Sequence, residues 1–474
     1  MMRSMYSGVS GLRVHQTKMD VISNNIANIN TVGFKRATAS FKESFNQTLS
    51  SASSANQDRG GINPQQIGMG ANVGTIVNVM GQGAAQRTDY GSDLMIDGDG
   101  FFIVKDASGF SFTRAGVFEV DAKGNLVDPN GFNVCGWKAV EDPDKPGQQK
   151  IIKDTVTPIN IYDGDNLYSP AQKTTSIEFT GNFNQTTNKE QKNTMSFYDS
   201  QGNKYVMNIQ FTKNDKFVPQ PPAQNSSWDI SLPGVTLPGG QAPGQGVAPT
   251  HYELTVNGTD KVYLPVGNLN LQGLSLIFGQ DGKLTSVNGN NANGTGFTLP
   301  DINLGNLLKD NGTANGTQAG ITAETLSGIN IDFAKVTQFN SKANVTSEAK
   351  DGNTAGSMTG YSIDANGIIR GTYSNGQTKL LAQIPLANFK NPAGLEKAGS
   401  NLYKETGNSS EFDGIGVEAS ALGSKLQGGA LEMSNVDLSY EFSEMITTQR
   451  GFQANSRIIT TSDEMIQELV NMKR

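Results

Sequence analysis

The sequence predicts a mainly β protein with paired N- and C-terminal α-helices, in a nested multi-domain layout with β-rich inner and outer domains. Three observations carry this reading. All 17 prolines lie between Pro64 and Pro392, so both ends lack the residue that most strongly breaks helix interiors. Apolar residues recur at sevens near both ends. Between the ends, short alternating runs are punctuated by turns that carry glycine.

At the N-terminus, Met5, Leu12, Met19 and Ile26 are spaced by seven, with Val9, Ile22 and Ile29 three or four positions away. At the C-terminus the series is Leu438, Met445, Phe452, Ile459 and Ile466, with Phe442 and Val470 four residues after members of it. Such stripes pack helix against helix, and we read them as a polymerisation seam. Asn435 and Asp437 are candidate caps for the second helix. Glu441 and Glu444 near its start, and Lys473 and Arg474 at its end, suit the helix dipole. Gln16, Gln449, Ser456 and Asp463 are polar where a closed coiled coil prefers apolar residues. They are either a solvated flank or a means of fixing register in a larger assembly.

Residues 46–70, rich in Ser, Asn, Gln and Gly, read as a flexible or extended connector. Hairpin units follow at FEVDAKGNLV (118–127), FYDSQGNKYV (197–206), LIFGQDGKL (276–284) and YSIDANGII (361–369). Asn and Asp before Gly supply the positive φ that tight hairpins need. The Pro/Gly/Gln-rich stretch 215–250 and the Asn/Gly-rich stretch 286–320 read as surface loops. The expected domains are residues 1–45 with 431–474 (terminal helical), 46–70 (connector), 71–145 with 356–430 (inner β) and 146–355 (inserted, outer, β-rich).

Composition narrows the function. A net charge of −7 over 474 residues argues against nucleic-acid binding, which needs a basic face. No run approaches 18 apolar residues, so membrane insertion is not expected. The N-terminus interleaves polar and apolar residues and lacks the apolar core of a cleavable leader. The two histidines, His15 and His251, have no second histidine at metal-ligand spacing, and no Walker loop or nucleophile elbow is present. Asp93, Asp97 and Asp99 in SDLMIDGDG lack the spacing and closing Glu of an EF-hand and read as turns before the strand FFIV. We expect no enzyme activity, catalytic residue, cofactor or metal. The lone Cys135, in FNVCGW, is either a buried small hydrophobe or a reactive thiol at a subunit boundary.

The terminal segments also resemble the paired signatures of the flagellar rod, hook and hook-associated protein family. The N-terminal match lies in SMYSGVSGLRVHQTKMDVISNNIANINTVGFKRATASF, centred on Asn24, Asn25, Asn28, Gly33, Phe34 and Lys35. The C-terminal match lies in NVDLSYEFSEMITTQRGFQANSRIITTSDEMIQELVNM, with Asn435, Gln449, Arg450 and Asn455. LMIDGDGFFIVKD and NGFNVCGW resemble inner-domain strands of the family. A long β insertion between two arms looks like a hook subunit. The resemblance implies a tubular homopolymer that acts as a curved universal joint between basal-body rod and filament, its channel lined by the paired helices. It implies as partners other copies of the chain, the distal rod protein, the hook–filament junction protein, the hook cap and the flagellar type III export apparatus, with export without a cleaved signal peptide. Some members carry a lysinoalanine link between subunits, for which Cys135 is the candidate here, with Lys123 and Lys138 nearby.

One helix from each end leaves a pair with no third layer, so apolar surface stays exposed until neighbours cover it. The ends are therefore expected to be mobile in the monomer and ordered in the polymer. A distal rod or hook-associated protein is the alternative within this architecture. A monomeric β-rich surface adhesin is the alternative from another class, and it leaves the helical ends unexplained.

Overall fold

The computed structural model describes residues 2–54, 60–107, 109–142, 149–186, 190–214, 224–235, 251–266, 274–288, 292–304, 307 and 324–472. The chain divides into two compact units. One holds residues 1–166, 360–371 and 379–474, and the other holds 167–359 and 372–378.

The first unit carries both terminal helices, Met2–Ala27 and Leu438–Asn471. The N-terminal helix stops far short of the first proline. The turn Asn28–Thr31, with polar Asn28, Asn30 and Thr31, and the left-handed Gly33 (φ 69°) end it, and alternation takes over. Strands β1 (Ala37–Glu43), β2 (Asn46–Ser50), β3 (Gln65–Gly68) and β4 (Ala71–Asn78) form a ribbon, β1 on β4 and β2 on β3, both antiparallel. The expected connector at 46–70 is thus largely an extended hairpin, with 55–59 outside the described residues.

The rest of this unit is built from two arms of the chain. β5 (Ala85–Arg87) pairs with Ala430–Glu432, and β6 (Leu94–Asp97) with Lys425–Gly428. β7 (Phe101–Asp106) pairs with β8 (Gly109–Thr113), with Asn133–Glu141 and with Leu386–Ala387. The turn between β6 and β7 needs Gly98 and Gly100 at φ 121° and 118°, which explains the Asp-Gly-Asp-Gly motif without a metal. Phe101, Ile103, Phe112, Trp137, Phe389 and Tyr403 fill one of its cores.

The second unit is a sheet-on-sheet structure. A five-stranded and an eight-stranded sheet share one core containing Phe179, Phe183, Phe211, Trp228, Phe278 and Phe333. Strands Ser176–Asn184 and Asn330–Phe339 are parallel neighbours, although 145 residues lie between Asn184 and Asn330. Two loop expectations are corrected here. Within 215–250, Gln224–Ser231 and Gly234–Val235 are strands and Trp228 is wholly buried. Within 286–320, Phe297, Leu299, Ile302 and Leu304 are core residues. Trp228, Ile230 and Leu232 alternate on one face, but Pro, Gly and Gln dominate the window around them. The remainder of both stretches falls mostly outside the described residues.

Candidate assembly interface

The two terminal helices run antiparallel. Ser4 meets Ser462, Gly8 meets Ile459, Gly11 meets Asn455, His15 meets Gly451, and Lys18 forms an ion pair with Glu444. Small residues allow this approach. A Cβ on Gly11 would lie 2.6 Å from Asn455 Nδ2, and one on Gly451 would lie 2.6 Å from His15 Cε1. The His15 ring meets Phe41 edge-on at 5.7 Å. Burial, and next to it the charge of Lys18, hold its pKa below the ordinary value.

The seam within the subunit differs from the apolar series. Val14 and Ile22 are buried on the N-terminal helix, and Glu441, Thr448 and Ser462 on the C-terminal one. Met5, Leu12, Met19, Ile26, Met445, Ile459 and Ile466 are half-buried, while Leu438 and Phe452 are exposed, at 39% and 38%. The inner contact line on the C-terminal helix is Glu441, Thr448, Asn455 and Ser462, shifted by three residues from the apolar series. Leu438, Phe442, Ile446, Ile458, Met465 and Leu469 all face out. At about 100° per residue, Leu438 and Phe442 fall on one flank of the inner contact and Ile458 and Met465 on the other, while Ile446 lies nearly opposite it and Leu469 continues its line. The helix therefore presents two apolar flanks. Gln16, Gln449, Arg450, Ser456 and Asp463 are exposed, and Lys473 and Arg474 lie outside the described residues.

The ribbon adds to this surface. Phe41, Phe45, Leu49, Ile62, Ile67, Ile76 and Val77 are exposed on it. A two-stranded ribbon is marginal in water alone. Its base rests on the N-terminal helix, where the Ala71 N–H donates to Ser10 Oγ at 3.3 Å. A groove lined by Tyr6, Val9, Arg13, Thr17, Asn72 and Val73 runs between them.

Most signature residues sit elsewhere, at the root of the helices. Asn25 caps Ala37 from both sides, its Nδ2 donating to the carbonyl at 2.8 Å and its Oδ1 accepting from the N–H at 2.9 Å. Asn435 Oδ1 accepts from the Arg36 N–H at 2.8 Å, and its Nδ2 donates to the Val79 and Gly81 carbonyls. Asn435 is therefore not the helix cap. That role falls to Asp437, which accepts from the N–H groups of Ser439 and Tyr440. Gly33 donates to the Glu432 carbonyl at 2.7 Å, and a Cβ there would lie 2.7 Å from the Ala115 nitrogen. Phe34 is buried under the Lys397 ammonium, 4.6 Å from its ring centroid. Lys35 Nζ donates to Glu432 Oε1 at 2.6 Å and to the Gly81 carbonyl at 2.8 Å. Asn24, Asn28 and Thr31 form a hydrogen-bonded chain where the N-terminal helix ends. Sequence reasoning missed Glu432 and Arg114. They lie in unremarkable strand contexts, and only long-range pairing brings them to Lys35.

Cys135 is fully buried beside Phe101, Phe112 and Trp137, its Sγ 3.8 Å from the Asn133 carbonyl. Burial pushes its thiol up to about 12, outweighing the opposing charge of Lys105. Lys123 and Lys138 are exposed.

Four family descriptions match the chain. They are "Flagella basal body rod protein" at residues 5–35, "Flagellar hook protein FlgE/F/G D1 domain" at 95–182, "Flagellar basal body protein FlaE D2 domain" at 166–353 and "Flagellar basal body rod FlgEFG protein C-terminal" at 427–472. The chain is 36% identical to the flagellar hook protein FlgE of Borreliella burgdorferi over 492 residues, covering all of both chains. It is 36% identical to FlgE of Treponema pallidum over 501 residues, again covering all of both. Against FlgE of Salmonella typhimurium the identity is 30% over 487 residues, covering 99% of this chain and all of that one.

Proposed function

The chain belongs to the flagellar hook protein family, as a structural subunit of the bacterial flagellar hook, and from that premise we propose how its own residues build the polymer. The exposed flanks of the C-terminal helix, with the half-buried series Met5, Leu12, Met19 and Ile26 and the ribbon, are the surfaces that neighbouring copies cover. One observation carries this reading: apolar residues face out on both sides of an inner contact to which the C-terminal helix contributes mainly small and polar ones. Burying that surface supplies the free energy that orders the ends.

The layout we propose groups 1–45 with 431–474, 71–145 with 356–430, and 146–355 as the insertion. The pairing of strands from both arms in the first unit and the single core of the second support it. The subunit acts mechanically, without a catalytic centre or cofactor. Its further partners are the distal rod protein, the hook–filament junction protein, the hook cap and the type III export apparatus, through which it leaves. For Cys135 we favour the inert thiol over the lysinoalanine link, because its sulfur faces a packed core.

Purified subunits of Phe442→Asp and Met465→Asp, each charging one flank, test the proposal. Both are expected to stay folded and to form no tubes by electron microscopy. Tubes from either variant would remove that flank from the interface.

A further inference from the structure

Three ionisable side chains from distant parts of the chain meet in a place that water does not reach. Lys35 follows the N-terminal helix, Arg114 follows β8, and Glu432 precedes the C-terminal helix. Their side chains are 1%, 4% and 0% exposed. Glu432 Oε1 accepts from Lys35 Nζ at 2.6 Å and from the Gly83 N–H at 2.8 Å, and Oε2 accepts from Arg114 Nη1 at 3.4 Å. The Arg114 guanidinium lies 5.1 Å over the Phe101 ring. The chain closes tightly around the carboxylate, since a Cβ on Gly83 would lie 1.9 Å from the Met433 carbonyl oxygen. One anion thus holds two buried cations, and losing it would leave them to repel each other.

We propose that this triad is a clamp, with Glu432 as its positioning residue, that fixes the roots of both terminal helices to the β framework before any neighbour binds. Hydrogen bonds between the two end segments already converge there, from the Gly33 N–H to the Glu432 carbonyl and from the Arg36 N–H to Asn435 Oδ1. Lys397 Nζ and Asn401 Nδ2 tie the same segment, at the Lys35 and Val32 carbonyls, to the arm that returns through 396–404. The order that assembly must supply is then confined to the helix shafts, which leave the framework at a set point. This clamp does not depend on which neighbour covers the shafts.

Hydrogen exchange on the full-length free subunit tests it. In the wild type, the amides of Gly33, Arg36, Gly83 and Met433 are expected to be protected to within about tenfold of those in β7, whereas amides at 463–471 exchange far faster. Glu432→Gln, which keeps the shape and removes the charge, is expected to speed the four clamp amides by roughly a hundredfold while β7 stays as in the wild type. The clamp is refuted if the wild-type amides exchange as fast as the helix tip, or if Glu432→Gln leaves them protected. The wild-type arm needs no variant, so fast exchange there refutes the clamp even if Glu432→Gln does not fold.

Discussion

At the scale of single residues, exposure separates side chains that matter to the subunit from those that matter between subunits. Phe452 is 38% exposed. Phe452→Asp is therefore expected to change the monomer's unfolding free energy by no more than about 0.5 kcal/mol. In a covered seam the same charge would be buried unpaired, at a cost of roughly 3 kcal/mol or more, so tubes should not form. Urea unfolding of the monomer and sedimentation of the assembly read the two effects separately. Trp228 behaves in the opposite way. It stacks on Phe183 at 4.8 Å inside the second unit, and Trp228→Ala should cost about 3–5 kcal/mol of that unit's stability. Gly33→Ala meets both a left-handed backbone and the chain at Ala115, and about 2 kcal/mol or more is expected. For Cys135, the folded thiol stays protonated to about pH 12, while an unfolded thiol ionises from about pH 8.5. Between those values the folded state holds more protons, so this group's contribution to stability is intact below the lower pH and is lost as pH rises towards the upper one. At pH 8 the native thiol should resist iodoacetamide and react only on denaturation. Alkylation of the native subunit would bring the cross-link back into contention.

At the scale of elements, the two helices and the hairpins were legible because their signals are local. Proline-free, seven-spaced ends and Asp/Asn–Gly turns need no knowledge of the partner strand. The face each helix turns inward was not legible. Apolar spacing marks surface that something will cover, but not whether that is the same chain or another. Here small and polar residues, Gly8, Gly11, Gly451, Thr448 and Ser462, make most of the inner contact, and apart from Ile459 against Gly8 the apolar series of the C-terminal helix lies beside it. Gly8 and Gly11, three apart on one helix face, were the available sign of close approach. The loop reading of 215–250 and 286–320 failed for a related reason. Composition averaged over a window hides an alternation as short as Trp228, Ile230 and Leu232. Any shortening within 215–250 must therefore spare 224–235. A cut that removes those strands is expected to unfold the second unit.

At the scale of the whole molecule, the signature residues resolve into two roles. Asn25, Gly33, Phe34, Lys35 and Asn435 build the root of the helices, where their contacts lie within the subunit. Gln449 and Arg450 are exposed on the shaft, and Asn455 lines the inner contact against Gly11. The root was legible as a motif but not as a mechanism, because Arg114 and Glu432 join it only through the folded arms. If the helix shafts are the assembly surface, the β framework folds without them and tubes do not form. The most direct test is tube formation by the full chain and by a chain lacking residues 436–474, followed by electron microscopy, with circular dichroism as the check on folding. Tubes are expected from the full chain, none from the shortened one, and an intact β spectrum in both. Tubes from the shortened chain would show that the shafts are not the assembly surface.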